Sequence, residues 1–316
     1  MLETIFLPAF TVLPPWPTPP LFFHLPGPYH GDNAYFKILP VPYEGTVCFE
    51  RGTALGPERI CAVSDQMEYI DEESRREFWR RGIQTLPPVT LGASPLEEFP
   101  PEEVMARIAR AADGLFSEER FPIILGGEHS ITAPIVRAAR EVYPTLSVLQ
   151  FDAHSDLRDS FPPGGKHSHA SVMRRVLEIT PHLAQVGIRS FCETDLVECP
   201  EQVQRFITPV MLEENFDDSL GRIIDFLTDV VYITFDMDAF DPAVAPGVGT
   251  PEPGGLTWRQ VMTILRRVFA AKRVVGADIV ETMPLGGNFV TTEFLAARMA
   301  AKIMNFQYLA LENSKN

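Results

Sequence analysis

The chain has 316 residues and a net charge of −15, with 27 Lys plus Arg against 42 Asp plus Glu. That length suits one large α/β domain or two ordinary ones, and a composition 45% apolar and 22% charged excludes global disorder. The acidity argues against a nucleic-acid binder, which needs a basic face, and it permits a cationic substrate or metal ions.

The first 30 residues hold 8 of the 29 prolines and six aromatics: Phe6, Phe10, Trp16, Phe22, Phe23 and Tyr29. The prolines interrupt any helix, and no Lys or Arg precedes the apolar run, so neither a signal peptide nor an anchor is expected. Residues 1–30 read as an extended arm, followed by a single domain over 31–316. Short apolar runs predict buried strands over 35–41, 121–125, 146–151, 184–188, 230–235 and 274–280. Helical spacing predicts helices over 101–116, 131–143, 217–228, 257–271 and 291–306, the first opening with Glu102 and Glu103. This alternation implies a doubly wound, mostly parallel sheet. No stretch approaches 18 uninterrupted apolar residues, so no membrane span is expected. Four scattered cysteines (Cys48, Cys61, Cys192, Cys199) form no C-x-x-C pair and suit a reducing compartment such as the cytoplasm.

In such folds ligands sit beyond the carboxyl ends of the strands. There the sequence reads Gly126-Gly127-Glu128-His129-Ser130, Asp152-Ala153-His154-Ser155-Asp156, Asp236-Met237-Asp238 and Glu281. Four strand ends thus bring acids and histidines to one edge. Asp152, His154 and Asp156 at i, i+2 and i+4 share a face of extended chain, as do Asp236 and Asp238. Four converging carboxylates repel one another unless cations intervene. Two divalent ions balance four Asp charges, two imidazoles add neutral donors, and this donor mix suits Mn²⁺ or another borderline ion. Two such ions activate water near neutral pH.

GGEHS, FDAHSD and FDMDAFDP, in this order, resemble the ureohydrolase (arginase/agmatinase) family, as does the loop Gly249-Thr250-Pro251-Glu252-Pro253-Gly254-Gly255. Pro42-Tyr43-Glu44-Gly45-Thr46 and Arg51-Gly52-Thr53 are similar to the agmatinase entry region. The resemblance covers about residues 31–310. It implies a three-layer arginase-type fold with an eight-stranded parallel sheet, two Mn²⁺ per subunit, and a trimeric or hexameric homo-oligomer. Carried over, it makes His129 and Asp156 terminal ligands of one ion, His154 and Asp238 of the other, and Asp152 and Asp236 bridges. It implies hydrolysis of a guanidinium to urea and an amine, with Glu281 binding the guanidinium, Thr250 supporting it by a hydrogen bond, and Asp156 in a catalytic role.

The departing amine needs a proton, and His is the natural carrier near neutral pH. His167 and His169 both qualify by position; the resemblance aligns His169 with the family's shuttling histidine, although Ala170 replaces the usual glycine. His24, His30 and His182 read as structural or surface residues. The arginine-specific anchors of arginases are missing from 165–171 and from Arg189-Ser190-Phe191-Cys192, so agmatine, giving putrescine and urea, is the expected substrate. N1-aminopropylagmatine, guanidinobutyrate or arginine are the alternatives, or a catalytically silent member acting as a binding subunit. A single-zinc deacylase is disfavoured by the Asp236/Asp238 pair. No nucleic-acid or membrane partner is expected.

Overall fold

The computed structural model describes residues 20–25, 27–91, 99–287 and 289–313. Its centre is one sheet of seven parallel strands: β1 (Phe36–Val41), β2 (Ile83–Thr85), β3 (Phe121–Gly126), β4 (Leu146–Phe151), β5 (Leu183–Val186), β6 (Val230–Asp236) and β7 (Arg273–Val280), in the order β2-β1-β3-β7-β6-β4-β5. The resemblance implied eight strands, and among the described residues the sheet has seven. Each of β1, β3 and β4 is buried along its full length, the reason they read as continuous apolar runs rather than alternating ones.

The helices are α1 (Gly56–Ser64), α2 (Pro101–Ala112), α3 (Thr132–Val142), α4 (Val172–Leu177), α5 (Glu193–Glu198), α6 (Pro200–Val203), α7 (Pro209–Glu214), α8 (Phe216–Phe226), α9 (Trp258–Ala271) and α10 (Thr291–Asn313). They cover both faces of the sheet. Along β3, Phe121, Ile123 and Leu125 enter one core with Ile60 of α1, Leu265 of α9 and Ile303 of α10. Ile124 points the other way and packs with Ile108 of α2, Ile135 of α3 and Val176 of α4.

Local chemistry sets the boundaries. The helix predicted over 101–116 stops at Ala112, because Gly114 takes φ +70° and turns the chain. The strand predicted over 184–188 is Leu183–Val186, since Gly187 at φ +97° leaves extended geometry, and a Cβ there would lie 2.8 Å from the Asp152 carbonyl. Thr257 and Gln260 form a reciprocal capping box that starts α9. The helix predicted to end at 306 runs on to Asn313.

Most of the expected arm, residues 1–19 and Pro26, lies outside the described residues. The described part packs on its own domain: Phe22 and Phe23 are fully buried, and the Phe23 N–H donates to Ser64 Oγ of α1 at 2.8 Å. Among the described residues no helix is long and apolar enough to cross a membrane.

Candidate metal centre and substrate cavity

β3, β7, β6 and β4 are consecutive neighbours in the sheet, so the four acid- and histidine-bearing ends expected from the sequence do meet. Asp152, Asp236 and Asp238 each spend one oxygen on a backbone N–H and turn the other inward. Asp236 Oδ1 accepts the Asp238 N–H at 2.8 Å, and its Oδ2 lies 3.3 Å from His129 Nδ1. Asp238 Oδ1 accepts the Ala153 N–H at 2.9 Å, and its Oδ2 lies 2.9 Å from His154 Nδ1. Asp152 Oδ1 accepts the His154 N–H at 2.6 Å; Asp152 Oδ2 accepts a hydrogen bond from Gln150 Nε2 at 2.7 Å and sits 3.0 Å from His129 Nδ1. Asp156, held at φ +53°, places Oδ2 3.3 Å from the same nitrogen.

Two ligand-ready groups emerge, His129–Asp152–Asp156 and Asp152–His154–Asp238, and they share Asp152. The state of His129 tests whether they suit a cation. Thr234 Oγ1 gives its proton to Asp278 Oδ1 at 2.6 Å, so toward His129 Nε2, 2.8 Å away, it can only accept. Nε2 therefore carries the ring proton and Nδ1 is a bare lone pair. That buried Nδ1 has no hydrogen-bond partner, yet three carboxylate oxygens crowd within 3.3 Å of it. Only a cation or an added proton satisfies four converging acceptors, and the donor set fits divalent metal.

The titration shifts carry the same tension. Burial opposes charge on His154, but Asp238 and Asp152 outweigh it and push the imidazole up to about 12. Burial and then Asp152 push Asp156 up to about 6. Burial disfavours the Asp152 carboxylate, but the two imidazoles beside it outweigh burial and hold it low. Protons and metal ions thus compete for one site.

A cavity of about 220 Å³ opens onto these groups. Glu281, at φ +60°, lines it, with Oε1 anchored by the His129 N–H at 2.7 Å. Burial and then Glu128 push its carboxyl well above the usual range, so an adjacent cation would be strongly favoured there. His169 also lines this cavity, and burial holds its imidazole down at about 4. His167 instead lines a separate cavity with Lys166 and Arg175, which separates the two shuttle candidates. Thr250 lines the same cavity as Glu281, but its hydroxyl makes no hydrogen bond to Glu281.

His24 and His30 sit away from the cavity, His30 against the Leu25 carbonyl, and His182 packs beside Phe226. Sequence reading missed Cys48, Phe49, Glu50, Arg158 and Phe161, which complete the cavity wall. It also missed Arg189, whose guanidinium ties the carbonyls of Asp238 and Glu252 together at 2.8 and 2.7 Å.

A sequence profile of the arginase family matches residues 34–305. The chain is 37% identical to an N(1)-aminopropylagmatine ureohydrolase of Synechocystis over 87% of its length and 89% of that protein. It is 30% identical to an agmatinase of Bacillus subtilis, over 86% of this chain and 92% of the other. The solved agmatine ureohydrolase of Thermoplasma volcanium superposes with TM-score 0.77 at 30% identity, covering 89% and 92% of the two chains. Matched across nearly its whole domain, and carrying the paired acid–histidine clusters at its strand ends, this chain belongs to the arginase family, among its agmatinase-like ureohydrolases.

Proposed function

We propose that the protein hydrolyses the guanidino group of agmatine to urea and putrescine at a binuclear manganese centre. The observation that carries the proposal is the pair of His/Asp groups sharing Asp152, opening on the same cavity as Glu281 and His169. His129 and Asp156 would hold one ion, His154 and Asp238 the other, with Asp152 and Asp236 between them. When bound, such a pair makes water nucleophilic at neutral pH and offsets charge developing in the transition state.

The chain's own groups do the rest. Glu281 pairs with the planar guanidinium and presents its carbon to the ligand cluster. Asp156 orients the attacking water. His169, neutral at working pH because burial holds it near 4, takes a proton as water adds and returns it to the departing amine. Thr250 forms part of the wall along the bound substrate. The homo-oligomeric state, trimer or hexamer, and the cytoplasmic location belong to the same reading; the latter agrees with four free cysteines.

One observation favours a second substrate. The N(1)-aminopropylagmatine ureohydrolase relatives of Synechocystis and Thermus thermophilus are 37% and 36% identical to this chain, against 30% for the agmatinases. Urea release from agmatine, N1-aminopropylagmatine, guanidinobutyrate and arginine by manganese-loaded protein separates the readings. A kcat/KM highest for agmatine supports the first and one highest for N1-aminopropylagmatine the second. No urea from any of the four overturns both and leaves a silent binding subunit.

A further inference from the structure

Two residues outside the reacting groups grip His169. Glu128, fully buried beside the ligand His129, accepts the Thr46 N–H at 2.6 Å on Oε2. Its Oε1 accepts the Thr46 hydroxyl at 2.5 Å and the Ser130 hydroxyl at 2.5 Å. A threonine hydroxyl has one proton, and here it is committed to Glu128. Toward anything else Thr46 Oγ1 can only accept.

What faces it is His169. The His169 backbone N–H donates to Thr46 Oγ1 at 3.1 Å, and the ring Nδ1 lies 3.4 Å from the same oxygen. The loop is pressed onto this threonine: a Cβ on Gly164 would fall 2.3 Å from Thr46 Cγ2. The other hydroxyl near Nδ1, Ser168 Oγ at 3.4 Å, accepts the Ala170 N–H and is free to point its own proton either way. The far ring nitrogen, Nε2, is turned into the cavity, where Cys48 Sγ lies 3.5 Å away.

We infer that Thr46 and Glu128 are positioning residues that fix the tautomer of His169. The Glu128 carboxylate orients the Thr46 hydroxyl, Thr46 accepts Nδ1–H, and Nε2 is left as the bare nitrogen facing the substrate. Asp278 and Thr234 set the tautomer of His129 by the same logic, a carboxylate fixing a hydroxyl that fixes an imidazole. The inference rests on His169 carrying the proton in the reaction.

The test combines kinetics on manganese-loaded enzyme with long-range ¹H–¹⁵N NMR of the histidines in magnesium-loaded protein, using His169→Ala to assign the signal. Wild type should show His169 protonated at Nδ1. Thr46→Val should lose that pattern and lower kcat by about 10- to 100-fold with KM little changed, as removal of an orienting partner typically does. Thr46→Ser should restore both. Glu128→Gln is the second variant should Thr46→Val fail to fold, and it should weaken the Nδ1–H pattern in the same direction. A His169 signal still protonated at Nδ1 in both Thr46→Val and Glu128→Gln overturns the assignment whatever turnover does. Full turnover in His169→Ala overturns the shuttle role instead, and the NMR pattern then decides the tautomer alone.

Discussion

Two clusters of buried charge in this molecule are treated differently by the chain. On α10, the buried Lys302 Nζ lies 2.6 Å from the buried Asp71 Oδ2 and 2.8 Å from Glu72 Oε1, and at the exposed rim Arg298 of α10 and Arg266 of α9 reach Glu72 and Glu73 at 2.5 Å. At the strand ends, Asp152, Asp156, Asp236 and Asp238 are also buried, yet among the described residues no Lys or Arg nitrogen lies within 4.0 Å of their carboxylate oxygens. Within that distance the carboxylates have two imidazoles as their partners of basic type. Where the chain supplies matching cations, buried acids hold the fold together. Where it withholds them and leaves acceptors crowded together, the cluster could hold a metal ion.

The largest expected effect is at the unmatched cluster. Asp152→Asn removes the carboxylate common to both ligand groups, so divalent-metal affinity should fall by more than the about 10- to 100-fold typical of an outer partner. Calorimetric titration with Mn²⁺ checks this, and near-wild-type affinity would erase the distinction between the clusters. Lys302→Met strands Asp71 and should cost about 3–5 kcal/mol of stability in urea denaturation, while turnover per folded molecule stays the same. Adding Asp71→Leu to it should recover much of that loss, because an apolar pair replaces a buried ionic one.

The smallest effect is in the pH dependence, and it has opposite directions in the two places. Hydrogen bonds from Lys302 and Ser74 overcome burial and hold Asp71 below its ordinary value. Its contribution to stability is therefore complete above the unfolded carboxylate range and is lost as pH falls through the lowered folded value. Asp156 is raised to about 6, so in metal-free protein its contribution is present below the unfolded value and is lost as pH rises through about 6. Metal affinity should correspondingly rise with pH through that range, as the competing protons leave. Acid and urea titrations of metal-free protein with Asp71→Asn and Asp156→Asn controls would separate the two.

What the sequence displayed was whatever is local. The apolar runs named six of the seven strands, and the acids at their ends announced the cluster, because an aspartate pair at i, i+2 after a buried strand has little packing use. β2 was hidden because it has three residues, and α1 because it opens with Gly56-Pro57, which reads as loop. The partnerships were hidden by distance along the chain: Thr46 meets Glu128 across 82 residues and His169 across 123, and Lys302 meets Asp71 across 231. The resemblance picked His169 over His167, and the placed loop before α4 gives that choice a physical ground: His169 faces the His/Asp cluster and His167 a separate hollow.

The most direct measurement is the number of Mn²⁺ ions retained per chain after equilibrium dialysis at neutral pH, read by elemental analysis. Two ions per wild-type chain, falling to one or none in Asp152→Asn, is the expected result. A wild-type chain that retains no ion, or no more than Asp152→Asn, would contradict the reading of the unbalanced aspartates as a binuclear metal centre.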